Sequence, residues 1–247
     1  MSLETVFGLH AVESLIRNAP ERVRSLHVQQ SRHDKRLHAL VTLARESGLH
    51  PQQTEREALD EMVDGRHQGV VARCEAGGRQ YHEKDIPALL AGLDVPPFVL
   101  VLDGVTDPHN LGACLRSADA AGVHLVIAPK DKSVGLTPVV RKVACGAAET
   151  VPFIQVTNLV RALEHLKQAG IWIAGAAGEA EQDLYQADLK GPVALALGAE
   201  GAGLRRLTRE HCDFLIRIPM AGSVSSLNVS VATGICLFEV VRRRQEA

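Results

Sequence analysis

The spacing of hydrophobic residues changes character near residue 97. Before it, apolar positions recur at helical or alternating intervals in short stretches. GLHAVESLIRN (8–18) and KRLHALVTLARESG (35–48) repeat at three and four residues and predict amphipathic helices, the second ended by Gly48. LHVQQ (26–30) and GVVARCEA (69–76) predict short strands, with EREALDEMV (55–63) as a helix between them. From Pro97 onward the apolar residues come in unbroken runs: FVLVLDGV (98–105), LVIA (125–128), IWIAGAA (171–177), VALALGAEG (193–201) and FLIRIP (214–219). Helical segments of ten or more residues are expected between them. Strands buried on both faces and joined by helices imply a parallel sheet with helices on each side.

Between these regions lies GGRQYHEKD (77–85), with paired glycines, several charges and little apolar content. The pattern therefore predicts an α/β chain in three parts: a small α/β N-terminal domain over 1–75, a linker over 76–96 that includes IPALLAGL as a turn or two of helix, and a larger domain over 97–247. No G-x-G-x-x-G follows the first strand of the larger domain, and its glycine-rich turn GAEGAGL (198–204) comes late, which argues against a dinucleotide site.

The last helix departs from the pattern. In IPMAGSVSSLNVSVATGICLFE (218–239), Ser225, Ser226, Asn228 and Ser230 stand beside Leu227, Val229, Val231, Ile235 and Leu237, where a buried closing helix would have apolar residues throughout. Backbone amides at such a helix opening are unpaired donors at a positive dipole end, suited to a polar ligand. NLGACLRSADAAG (110–122), after the first strand, and GAEGAGL likewise put small and polar residues just past the end of a buried strand, the place where open α/β sheets bind ligands.

The order and wording of these three segments resemble the SpoU/TrmH family of RNA 2'-O-methyltransferases in the SPOUT class, and the likeness extends to DGVTDPHNLGACLRSADAAG (103–122) and FGLHAVESLI (7–16). The resemblance implies a SPOUT catalytic domain with a C-terminal deep trefoil knot, behind an N-terminal RNA-binding domain. It implies transfer of a methyl group from S-adenosylmethionine to the ribose of a guanosine in 23S rRNA, in the P-loop of the peptidyl transferase centre, by a cytoplasmic homodimer. A tRNA methyltransferase of the same family is the nearest alternative; a nucleotide-dependent enzyme is what a doubly wound sheet alone would suggest.

Residue by residue, the resemblance assigns Asn110, Arg116, Glu200, Ser226 and Asn228 to catalysis. A carboxylate at Glu200, between small neighbours, would keep the Arg116 guanidinium aimed by pairing with it or by hydrogen-bonding the active-site turn. It assigns Gly198, Ile218, Met220 and Leu227 to the cofactor, with looser help from Gly175 and Ala176. Each has a plainer explanation. Asn110, after the turn containing Pro108, reads first as a helix N-cap; Arg116 as a surface arginine; Glu200 as a solvated loop residue; Ser226 and Asn228 as a cap and a first-turn residue of the last helix.

Composition narrows the field without choosing. A net charge of −2 over 247 residues does not advertise nucleic-acid binding, although the cations cluster at Arg32, Lys35 and Arg36, at Lys130 and Lys132, at Arg141 and Lys142, at Arg205 and Arg206, and at Arg242 to Arg244. No apolar stretch approaches eighteen residues, so no membrane span is expected, and the N-terminus lacks a basic start and an apolar signal core. The five cysteines form no C-x-x-C pair, which predicts free thiols. The eleven histidines form no H-x-x-x-H or H-E-x-x-H pattern, so no metal is expected. The serine-rich run lacks the G-x-S-x-G elbow of a hydrolase.

Overall fold

The computed structural model describes residues 3–32, 34–75, 81–199 and 201–246. The chain divides into two compact units: Met1–Gln80 with Cys145–Thr150, and Tyr81–Ala144 with Val151–Ala247.

The first unit holds β1 (Leu3–Phe7), α1 (Leu9–Asn18), β2 (Val23–Gln29), α2 (Lys35–Glu46), β3 (Gln52–Thr54), α3 (Arg56–Met62) and β4 (Val70–Glu75). Its strands form a four-stranded sheet in the order β1-β4-β2-β3, in which only β2 and β3 run parallel. In β2, Leu26 and Val28 are buried while their neighbours are partly or fully exposed. This is the alternation of a sheet with one covered face. Asp34 caps α2 by accepting from the backbone N–H groups of Arg36 and Leu37. Within this unit the buried Arg22 donates to Glu4 at 2.7 Å and to Glu149 at 2.9 Å. Burial works against its charge, but the two carboxylates outweigh that and raise its pKa. Burial also pushes the Cys74 thiol up to about 12, with the nearby Glu4 adding to the effect, so Cys74 packs as an uncharged thiol.

The second unit opens with α4 (Ile86–Ala91), which lies inside the stretch that the sequence marks as linker; its Ile86 and Leu90 are buried in the core with Val99 and Leu163. The paired glycines Gly77 and Gly78 fall outside the described residues. After α4 come β5 (Phe98–Asp103), α5 (Pro108–Ala120), β6 (Leu125–Pro129) and α6 (Pro138–Ala144); α7 (Ala147–Thr150) is counted with the first unit. They are followed by β7 (Phe153–Val156), α8 (Leu159–Gln168), β8 (Trp172–Ala176), β9 (Gln182–Asp183), β10 (Val193–Gly198), α9 (Arg206–Glu210), β11 (Phe214–Arg217) and α10 (Val229–Gln245).

The seven strands are ordered β7-β6-β5-β10-β8-β11-β9, with every pairing parallel. All six residues of β5 are buried, as expected for a strand covered on both faces. The connections are shorter than the sequence suggests: α9 has five residues, because the glycine turn before it already covers part of the distance between β10 and β11. Among the described residues no helix is long and apolar enough to cross a membrane.

Candidate active site and cofactor cavity

Because the strands are parallel, their C-terminal ends share one edge, and the polar segments gather there. β10 ends at Gly198, paired in register with Asp103, the last residue of β5. A methyl group on Gly198 would overlap the backbone of Gly203, so only glycine fits. The turn closes with the Gly203 N–H donating to the Ala199 carbonyl at 2.9 Å. Gly201 and Gly203 have φ of +74° and +66°, a region that side chains disfavour. The glycines of GAEGAGL thus serve a tight return of the backbone. Glu200 lies outside the described residues.

This turn forms one wall of a cavity of about 450 Å³. The ends of β8 and β11 and the segment before α10 supply the rest. Gly198, Ile218, Met220 and Leu227, the four residues assigned to the cofactor, all line it, together with Ser226. Ala176 lines it as well. Gly175 does not: a side chain there would lie 2.7 Å from Cys212 Sγ and 2.8 Å from Leu215 Cδ2, so its smallness serves strand packing. The cavity combines apolar side chains with a run of exposed backbone, which suits a flat heterocycle with a polar edge. Its charged lining, Glu179, Arg209 and Arg217, is not evident from the sequence. Glu179 pairs with Arg209, and Arg217 with Asp183 at 2.6 Å.

The other residues meet at the junction of α5 and α10. Asp107, not Asn110, caps α5, its Oδ1 accepting from the His109 N–H at 2.8 Å, with Pro108 at the first helical position. Asn110 sits one turn inside, buried, and its Oδ1 accepts from Asn228 Nδ2 at 3.0 Å. Asn228 is itself the cap of α10, its Oδ1 accepting from the Ser230 N–H at 2.8 Å and from Ser230 Oγ at 2.6 Å. One amide therefore joins the first motif to the third across 118 residues. Gly112 lets α6 approach α5, since a Cβ there would lie 2.6 Å from Val143 Cβ.

Arg116 is exposed on α5 and is not part of the cavity wall. α10 packs on α5 of the same chain, with Cys114 Sγ 3.4 Å from Thr233 Oγ1. Part of the cover that the apolar face of α10 needs is thus supplied within the chain. Val231 and Phe238, one heptad apart on α10, remain exposed.

Comparison with known proteins agrees with this geometry. Residues 97–238 match the SpoU rRNA Methylase family, and residues 5–78 match the RNA 2'-O ribose methyltransferase substrate binding family. The 23S rRNA (guanosine-2'-O-)-methyltransferase RlmB of Escherichia coli strain K12 is 60% identical over 242 residues, covering 98% of this chain and 99% of that protein. RlmB of Shewanella oneidensis is 61% identical, covering 98% of each. The crystal structure of the SpoU methyltransferase AviRb from Streptomyces viridochromogenes in complex with AdoMet superposes with a TM-score of 0.77 at 25% identity, covering 99% of this chain and 92% of that one.

Proposed function

This chain belongs to the SpoU rRNA methylase family, and from that premise we propose that the cavity and the α5–α10 junction form one site for ribose methylation. The chain is a 23S rRNA (guanosine-2'-O-)-methyltransferase that uses S-adenosylmethionine. The observation that carries the assignment of the site is the cavity: residues from three separate segments of the sequence close around a volume sized for a nucleoside.

S-adenosylmethionine supplies a methyl group on a sulfonium, already a good electrophile. The apolar wall of Ile218, Met220 and Leu227 would hold its adenine, and the exposed backbone at Gly198 its polar edge. What the chain must improve is the nucleophile, by positioning the 2'-hydroxyl and stabilising its oxygen as the proton leaves. Asn110 and Asn228, locked together, hold the ribose side. Arg116 stays protonated and steers and stabilises the developing oxyanion, while an RNA phosphate takes the proton. Glu200 aims the guanidinium, and Ser226 contacts substrate from the cavity rim.

The finer assignments belong to the same reading. The target is the P-loop guanosine of the peptidyl transferase centre, the enzyme works in the cytoplasm, and the C-terminal segment threads the deep trefoil knot of its family. The N-terminal domain recognises rRNA; a hollow of about 510 Å³ lined by Arg32, Arg56 and Arg66 supports this. The active form is a homodimer, supported by the exposed Val231 and Phe238 on α10. Mapping 2'-O-methyl sites in rRNA and tRNA from cells with and without the protein tests the target: a lost tRNA site with intact 23S rRNA would overturn it. Light scattering tests assembly; a fully active species of 26.6 kDa, one chain, would refute the dimer.

A further inference from the structure

The methylation reaction leaves one charged arrangement at the same strand edge unused. Asp103 ends β5 with its side chain fully buried, and both of its oxygens are taken by a single residue. The Arg205 backbone N–H donates to Oδ2 at 2.9 Å, and Arg205 Nε donates to Oδ1 at 2.5 Å. A carboxylate this deep persists only when paired and hydrogen-bonded. The pairing fixes the guanidinium by its Nε side and leaves both Nη groups, which have no acceptor among the described residues. The Arg205 side chain is 42% exposed.

Two further cations stand nearby. Lys130 and Lys132 follow β6, which is parallel to β5 and adjacent to it, so its C-terminus lies at the same edge. Their loop is tied to the one leaving Asp103: the Val134 N–H donates to the Val105 carbonyl at 2.9 Å, and Ser133 Oγ to the same oxygen at 3.2 Å. Three loops converge on Gly104, where a Cβ would lie 3.6 Å from Ala199 Cβ and 3.7 Å from the Lys132 carbonyl oxygen. Lys130 and Lys132 are exposed, and neither makes an ion pair among the described residues. Among the described residues the acids of these loops are Asp131, between the lysines, and Asp107, engaged as the α5 cap; Glu200, in the third loop, lies outside them.

The cofactor cavity lies on the β8 and β11 side of β10. Arg205 and the lysines lie on its β5 and β6 side. We propose that Arg205, aimed by Asp103, and Lys132 grip backbone phosphates flanking the target guanosine, so that the RNA strand crosses the sheet edge over β6 and β5. The partner is a polyanion because a guanidinium held at Nε still presents two Nη donors to a pair of anionic oxygens. The proposal rests on the rRNA methylation reading.

The test uses the full chain, a 23S rRNA fragment containing the target, and the variants Arg205→Gln and Lys132→Gln. Each is expected to weaken rRNA binding severalfold and to reduce the slope of log Kd against log salt by about 0.7, the release of counterions from one single-stranded phosphate. KM for RNA should rise more than kcat falls, with S-adenosylhomocysteine affinity unchanged. Arg205→Gln strands a buried carboxylate, so Asp103→Asn/Arg205→Gln is measured beside it, and Lys132→Gln should leave the melting temperature unaltered. Unchanged salt slopes in Arg205→Gln and Lys132→Gln would overturn the proposal. So would loss of cofactor affinity in step with RNA affinity, which would make Arg205 only a brace for the glycine turn. Wild-type chain that binds the fragment but methylates none of it would count against the activity reading instead.

Discussion

The two sheets solve the placement of polar groups in opposite ways. The N-terminal sheet is covered on one face, so its strands alternate in burial and its cationic hollow lies beside the sheet, lined by Arg32, Arg56 and Arg66. The seven-stranded sheet is covered on both faces, and β5 and β6 are buried along their whole length. Polar chemistry is then confined to the strand ends, where Asp103, Gly198 and the segments after them collect. A one-sided sheet suits a broad polyanion, whereas a two-sided sheet suits a small ligand held at one edge.

The largest effect should come from separating the two. A truncated chain beginning at Tyr81, which keeps α4 in the core, is expected to bind S-adenosylhomocysteine yet lose most of its affinity for 23S rRNA. Equal methylation of rRNA by both chains would mean that the first sheet is not a recognition surface. Next is Arg116→Ala, which should lower the methylation rate by roughly a hundredfold, the usual cost of removing one oxyanion-stabilising donor. Calorimetry should find cofactor affinity retained; near-normal turnover would remove Arg116 from the mechanism.

A smaller effect concerns stability. Glu239 is buried on α10, accepting from Arg242 at 2.7 Å and from Arg243 at 2.8 Å, and the Arg242 hydrogen bonds hold its carboxyl below the usual range. Glu239→Gln should cost about 2 kcal/mol at neutral pH. A depressed carboxyl pKa adds stability above its unfolded value of 4.5, lost as pH falls through the folded value. The difference between variant and wild type in thermal melts should therefore shrink below pH 4.5.

The smallest effect compares the units directly. His27 in the first and His124 in the second are both pushed below 6.5, first by burial and then by Arg73 and Arg244 respectively. In each, the neutral form is favoured by folding, so stability is full above pH 6.5 and declines as pH falls below it. Melting temperature should be flat from pH 8 to 7 and drift down from 6.5, and His27→Gln should remove only the first unit's share. A flat profile from pH 7 to 5 would contradict both shifts.

Much of this is legible in the sequence where one physical constraint dominates. The apolar runs at 98–103 and 193–198 can only be strands buried on both faces, and the glycine spacing at 198–203 marks a backbone turn. β1 escapes notice because Glu4 and Thr5 interrupt its apolar pattern, and β7 and β9 because four and two residues carry too little periodicity. Asn110 reads as a cap although Asp107 followed by Pro108 carries the stronger signal for a helix start. The pairing of Asp103 with Arg205 cannot be read at all. It spans 102 residues and depends on β10 lying beside β5, which is a property of strand order. The one visible trace is a charged residue closing an otherwise apolar strand.

That strand order also governs what happens as the chain leaves the ribosome. β5, β6 and β7 can pair with one another early, but the other edge of β5 waits for β10, and β8, made in between, waits for the same strand. About 95 residues separate the end of β5 from the end of β10, so at 5–20 residues per second an apolar edge stays unpaired for roughly 5 to 20 s. The nascent chain passes through a window in which its future centre is its stickiest surface, and chaperone capture should concentrate there, ending when residue 198 emerges.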